Sequence, residues 1–434
     1  MKSIPLIRNF EGARVIATDG TDTWTQEELL GTANALTEML GEGKHVINLC
    51  QNRYHFLLGF VAGILSGKIT LLPPTSQELS ITGLLGQYPG TTVLTDTDTD
   101  FEGFKCVDLR KLNLDCRPVT VPNIDTDQPV AIAFTSGTTG TPMPHPKPWG
   151  FLAVTGQLLG ERFGIAENSA VVGTVPSQHM YGLEMTILMA LQCGATIYAR
   201  LPFYPRDIHR CVSKLDKCVL VSTPVHLRAA MGSKLRSRPA KVISATAPLP
   251  EAVTKNIEQE LGCPVEELYG CTESGSVATR RPINQSSWQL LPTMTLSQHG
   301  ETTFVSAPHL MGDIELPDRI KIDEHGFELL GRNADMLNVA GKRFSLNELT
   351  SLMMHIEGVD DAVAFLPEPR DDVERPAAVV VGTATSRYIA QQLASKVDAA
   401  FIPRPIVHVS EIPRNKTGKV VRANLIQVFK AARS

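Results

Sequence analysis

The chain has 434 residues, 43% of them apolar and 20% charged, with a formal net charge of −4. That length predicts two or three domains with ample core material, and the negative balance excludes a surface built to neutralise nucleic-acid phosphates. The eight cysteines (50, 106, 116, 193, 211, 218, 263 and 271) form no C-x-x-C pair, which argues against a disulfide framework or a zinc site and predicts reduced thiols in a cytoplasmic protein.

At the N-terminus, residues 1–12 carry neither an apolar stretch nor a small-residue cleavage site, so no export signal is expected. The longest apolar run, Phe56–Leu65, is broken by Ser66-Gly67-Lys68. It is about half the length of a bilayer span and reads as a buried helix. From residue 24 to about 330, short β-rich runs alternate with helical windows. Candidate strands are Val46–Leu49, Val130–Phe134, Val171–Val175, Thr196–Ala199, Val219–Ser222 and Lys241–Ser244. Helices are expected over Gly150–Phe163, Glu184–Cys193 and Glu251–Leu261, the last with Val253, Ile257 and Leu261 every four residues. Alternating strands and helices imply crossover connections, hence an α/β fold of layered, mostly parallel sheets.

The pattern changes near Gly331. Ser345-Leu-Asn-Glu348 is a capping box opening a helix with Leu346, Leu349, Met353 and Ile356 on one face. Strand-like runs at Ala362–Leu366, Ala377–Val381 and Ile406–Val409 and a helix over Tyr388–Val397 complete a small α+β unit. The expected division is residues 1–332 and 333–434.

Phosphate chemistry is suggested first by Phe134-Thr-Ser-Gly-Thr-Thr-Gly-Thr-Pro142, which follows an apolar strand. Glycines let the backbone present successive N–H groups and hydroxyls add further donors for phosphate oxygens, although a tract of this composition also forms ordinary turns. It is not a Walker A loop. Further along stand Tyr269-Gly-Cys-Thr-Glu273, Gly331-Arg332, Gly341-Lys-Arg343 and Pro413-Arg-Asn-Lys-Thr-Gly-Lys419.

In this order the motifs resemble the adenylate-forming superfamily: acyl-CoA synthetases, peptide-synthetase adenylation domains and luciferases. The resemblance spans Trp24–Leu29 to Arg422 and implies a large N-terminal domain that binds ATP and an acid, with a small mobile C-terminal domain above it. It implies that Thr135, Ser136, Gly137, Thr138, Thr139 and Gly140 embrace the β- and γ-phosphates. Ala245, Thr246 and Ala247 would lie along the adenine, with Tyr269 and Gly270 on its other face. Thr272 would bond the α-phosphate, Glu273 would hold Mg²⁺, Asp318 and Arg332 would take the ribose, and Lys419 would bridge carboxylate and α-phosphate. His179, Gly182, Ser244, Cys271 and Gly275 would line the acid pocket. An anionic acid attacking an anionic phosphorus needs cancelled charge and positioning, but no general base.

The implied reaction makes an acyl-AMP and passes the acyl group to a phosphopantetheine thiol, either of CoA or of a carrier protein; Gly341 lies where relatives flank the pantetheine tunnel. Small residues in the expected pocket, and no obvious charged residue to meet an amino group, favour an aryl or fatty acid. The chain departs from the family in four places. Met143 replaces the usual loop lysine, with Lys147 four positions on. Leu316-Pro317 precedes Asp318 where Thr-Gly is usual. Ala334 precedes Asp335 at the expected hinge, and the interval from Tyr269 to Gly331 is short. A compact ligase of the aryl polyene type fits that length. A catalytically weakened adenylate-binding or partner protein is the alternative that Met143 and Ala334 favour.

Overall fold

The computed structural model describes residues 2–73, 78–112, 120–136, 142–202, 204–231, 238–284, 287–324, 326–332, 336–339, 342–367, 375–415, 418 and 420–433. The chain forms two compact units. One contains Met1–Asn284, Leu290–Met294 and Ser306–Ile314; the other contains Gln285–Gln289, Thr295–Val305 and Glu315–Ser434.

The first unit holds two large sheets. In one, the strand order is Pro142–Pro148, Pro129–Ser136, Ile69–Leu72, His45–Asn48, Thr92–Thr95 and Cys106–Asp108, with every pairing parallel except the first. Ile47, Leu71, Val93, Ile132 and Phe134 pack there against Ile81, Leu84 and Leu85 of the helix Glu78–Gln87. In the other sheet, Val265–Cys271, Lys241–Ser244, Cys218–Ser222, Ala170–Gly173, Thr196–Tyr198 and Val15–Thr18 are parallel neighbours in that order. The hairpin strand Gly275–Arg280 adds antiparallel beside Val265–Cys271. Helix Glu251–Leu261 has the expected limits and lays Ile257 and Leu261 on Val242, Val265 and Leu220.

A buried cation ties the two sheets of this unit. Arg53 opens the helix Arg53–Leu65 and is 1% exposed. Its guanidinium donates to the carbonyls of Gly173 (2.6 Å), Val175 (2.7 Å) and Arg200 (2.9 Å), which lie on or just past strands of the second sheet. Desolvation lowers the Arg53 pKa to about 10, so the group remains charged at neutral pH.

The window Glu184–Cys193 is helical but not uniformly so. Met180–Gly182 is α-helical, Leu183–Ile187 forms a π turn, and Leu188–Cys193 resumes the α-helix. Single π turns in helices often accompany functional sites.

In the second unit, Asp318–Asp323 and Gly326–Arg332 form an antiparallel hairpin. Val359–Phe365 pairs antiparallel with Ala377–Gly382, which pairs parallel with Ile406–His408. Alternation distributes this sheet's side chains between two cores. Ala378 and Val380 meet Leu349, Met353, Ile389 and Leu393, whereas Ala377 and Val379 meet Leu425 and Phe429. Ser345 caps the helix Leu346–Met354 by accepting from the Glu348 N–H. Ile356 is buried with that helix's apolar face but lies beyond its last turn.

Candidate active site

The parallel strands of the second large sheet end on one edge, where ligands of α/β sheets collect. After Lys241–Ser244 comes Ala245-Thr246-Ala247, and Thr246 has a φ of 79° although it is not glycine. Left-handed backbone at a non-glycine residue costs energy and is concentrated at functional sites. Buried Glu267 steadies the segment: one carboxylate oxygen accepts from the Leu249 N–H at 2.7 Å and the other from Arg280 Nε at 2.6 Å. Ala245 and Ser244 are buried, and Ser244 Oγ has no hydrogen-bond partner among the described residues.

The next strand, Val265–Cys271, turns through Thr272–Ser274 into Gly275–Arg280. A bulge falls between Tyr269 and Gly270. Gly270 has no room for a side chain, since a Cβ would lie 2.3 Å from the Gly275 carbonyl oxygen. Gly275 has a φ of +67°. Both glycines therefore serve the tight hairpin that presents Thr272 and Glu273 at its tip. Tyr269 is 8% exposed. Burial pushes the Cys271 thiol up to about 11, so it stays protonated and is not a nucleophile at neutral pH.

The glycine-rich tract begins on Pro129–Ser136 and returns on Pro142–Pro148. Thr135 is described; the Ser136 side chain and Gly137, Thr138, Thr139 and Gly140 lie outside the described residues. The returning strand is at the sheet's edge, and Pro142, Pro144, Pro146 and Pro148 occupy one phase of its alternation. Their missing N–H groups all fall on the outer side, which blocks further strand addition while Met143, His145 and Lys147 serve the ladder. These three side chains share a face that descends from solvent into the core: Met143 is 57% exposed and Lys147 only 2%.

Lys147 is therefore not the phosphate-loop lysine in another guise. Its Nζ donates to the Glu273 backbone carbonyl at 2.6 Å and lies 4.2 Å from the centroid of the Phe151 ring. Desolvation lowers its pKa to about 8, with nearby Glu184, Cys271 and Glu273 opposing that shift. The side chain beside Thr135 is His145. Its Nε2 is 3.0 Å from Thr135 Oγ1 and 3.6 Å from Glu273 Oε1, so hydroxyl, imidazole and carboxylate form a row.

The segment after Ala170–Gly173 approaches the same sheet edge. The Tyr181 hydroxyl lies 2.8 Å from the Ile243 carbonyl oxygen and 3.1 Å from that of Ser222, pinning the segment to two strands. Gly182 is required there because a Cβ would sit 2.0 Å from the Pro176 carbonyl oxygen. His179 is the N-cap of the short helix Met180–Gly182. In the second unit, Asp318 and Arg332 are directly opposed across their hairpin. Gly331 beside them has a φ of +112°, and a Cβ there would meet Ser345 Oγ at 2.2 Å. Lys419 lies outside the described residues. Its flanks are tied, however: Arg414 bridges Val420, donates to the Gly418 carbonyl at 3.1 Å, and pairs with both oxygens of Asp361 at 2.9 and 3.0 Å.

Sequence reasoning missed His145 and Glu184. The first falls between Met143 and Lys147, the two positions compared with the family's loop lysine. Glu184 is a buried carboxylate beside Gly275, one of the residues expected in the acid pocket. Its signal was a carboxylate in an otherwise apolar window, five residues after His179.

Residues 9–305 match the profile of the AMP-binding enzyme family. The chain belongs to that family of adenylate-forming ligases. Its sequence is 26% identical over 321 residues to the 3,4-dihydroxybenzoate–[aryl-carrier protein] ligase of Bacillus anthracis, covering 71% of this chain and 76% of the relative. It is 29% identical over 234 residues to the 4-coumarate–CoA ligase of Rhodobacter capsulatus, covering 53% and 59%. A 4-chlorobenzoate–CoA ligase of Arthrobacter is 26% identical over 346 residues, covering 69% and 66%. These alignments thus span between 59% and 76% of the relatives' own lengths. The ligase's fold is that of ATP-bound MatB from Rhodopseudomonas palustris (TM-score 0.85, 19% identity, 98% of both chains). It is also that of the AMP complex of O-succinylbenzoate–CoA synthetase from Bacillus subtilis (TM-score 0.82, 19% identity, 95% of both chains). Among the described residues no helix is long and apolar enough to cross a membrane.

Proposed function

We propose that this ligase condenses an aryl carboxylic acid with ATP to give acyl-AMP and pyrophosphate, then passes the acyl group to a phosphopantetheine thiol in the cytosol. The observation that carries the site assignment is the Thr135–His145–Glu273 row beside the glycine-rich tract. His145 takes the place in phosphate binding that the loop lysine holds in relatives, one imidazole serving as donor to a phosphate oxygen. Thr272, at the hairpin tip, would bond the α-phosphate, and Glu273 beside it would hold a magnesium ion.

Magnesium fits this arrangement. The Glu273 carboxylate is 36% exposed and so able to take a hard cation, and no group of three or more metal-binding side chains exists among the described residues. Such a site needs the nucleotide's own oxygens to complete it. The ion would supply charge neutralisation for the triphosphate. Lys419, delivered by a C-terminal lid over residues 333–434, bridges the carboxylate and the α-phosphate. Arg414 positions it by closing the loop on either side. Asp318 and Arg332 bind the ribose from opposite strands. The aryl acid and the choice between carrier protein and CoA rest on the relatives, which include both acceptor types.

Acid-dependent ATP–pyrophosphate exchange tests this reading. Exchange is expected with at least one aryl acid, and Lys419→Ala is expected to reduce it by a hundredfold or more, on the order of what one transition-state charge contact contributes. Absence of exchange across aryl and aliphatic acids would instead favour an adenylate-binding protein without ligase activity.

A further inference from the structure

The adenylation steps above leave Lys147 unused. It lies near the inner end of the edge strand Pro142–Pro148, in the first large sheet. Its Nζ nevertheless donates to the backbone carbonyl of Glu273, 126 positions on, in the hairpin turn of the other sheet. Lys147 is buried, and its ammonium rests over the ring of Phe151, from the helix Trp149–Phe163. Two residues back on the same face of the strand, His145 Nε2 comes to 3.6 Å from Glu273 Oε1. One edge strand thus meets Glu273 at both its backbone and its carboxylate.

A lysine in such a place is costly. Lysines are almost never fully buried unless paired, and an apolar residue of similar length would pack on Phe151 without the desolvation penalty. What the apolar residue could not do is bind the carbonyl. A charged donor makes that bond about twice as strong as a neutral one would. The turn has use for such a bond. Thr272–Ser274 lie between the paired strands, and Cys271 Sγ, which accepts from the Ser274 N–H at 3.4 Å, is only a weak acceptor. A side chain that takes a metal ion must be held within about 0.5 Å of its productive place by the residues around it.

We propose that Lys147 is a positioning residue for Glu273: by fixing the Glu273 carbonyl, it sets where the carboxylate of the same residue meets the nucleotide's magnesium ion. This rests on the ligase reading above, in which Glu273 holds that ion. Lys147 acts through Glu273 and needs no contact with the nucleotide. Its loss therefore leaves the binding of metal-free ATP intact and weakens only what the metal adds. A lysine that merely stabilised the core would lower the melting temperature and leave the metal's share unchanged.

The test is calorimetric titration of the full chain with ATP, in the absence of acid, once in EDTA and once in saturating Mg²⁺. The ratio of the two Kd values measures the metal's contribution. Glu273→Gln is expected to lower that ratio by about tenfold or more, through loss of a charged ligand. Lys147→Met, shown to fold by its thermal melt, is expected to lower it about tenfold, with Kd in EDTA changed by less than about twofold. Lys147→Gln keeps a shorter, neutral donor and is expected to lower it only about threefold. Combined with Glu273→Gln, neither Lys147 variant is expected to add to the loss, because a residue that acts through another contributes nothing once that one is gone. Should Lys147→Met not fold, Lys147→Gln and its double variant decide by the same criteria. An undiminished ratio in a folded Lys147 variant, or additive losses in the double variant, overturns the inference and leaves the ligase reading standing. An undiminished ratio in Glu273→Gln overturns the metal assignment, and the inference with it.

Discussion

Four positions along an edge strand separate Met143 from Lys147, a rise of about 13 Å, and an even number keeps both side chains on one face. The same face therefore carries a solvent-facing methionine, a half-buried histidine beside Thr135, and a lysine in the core. His145→Ala is expected to raise the KM for ATP by about tenfold, the worth of one hydrogen bond to a charged group. The KM for the acid should be little changed, and steady-state kinetics in each substrate separate the two. Glu184 carries a different consequence. Burial raises its pKa from 4.5 to about 7. The folded state then holds a proton that the unfolded chain releases, so the stability contribution is complete below pH 4.5 and is lost as pH rises to about 7. Denaturant midpoints across that window should fall with pH more steeply in the wild type than in Glu184→Gln, where nothing titrates; parallel profiles would show that Glu184 is not held protonated.

Among the elements, the hairpin of Val265–Cys271 and Gly275–Arg280 depends on a close backbone approach at its turn. Gly270→Ala is expected to destabilise the protein by roughly 1–3 kcal/mol, since its Cβ would strike the Gly275 carbonyl; thermal denaturation reads this. Arg414 lies close to Lys419 in sequence, and its fork is committed to Asp361 and the Gly418 carbonyl. Arg414→Ala should lower kcat of adenylation about tenfold with KM for ATP little changed, as expected when a catalytic group loses its positioning rather than a ligand contact. Periodicity made most elements legible: helix Glu251–Leu261 and strand Lys241–Ser244 have the limits read from sequence. It could not show that Leu183–Ile187 forms a π turn, because one extra residue per turn leaves the apolar pattern almost unchanged.

For the whole molecule, the family match bears out the resemblance that the motifs carry, because their spacing is local in sequence. The contacts of His145 and Glu184 were hidden because they are made across the fold and follow from edge-strand register and sheet order. Arg53 shows the same limit: nothing in its neighbourhood marks it as the cation that binds two sheets of the first unit. Arg53→Met leaves three carbonyls without their donor and is expected to cost about 3 kcal/mol or more in chemical denaturation. The measurement that tests the central claim most directly is acid-dependent ATP–pyrophosphate exchange by the wild type and Lys419→Ala. Exchange that requires an aryl acid and Mg²⁺, and that the substitution nearly abolishes, is the predicted result; exchange absent from the wild type, or undiminished in Lys419→Ala, would contradict it.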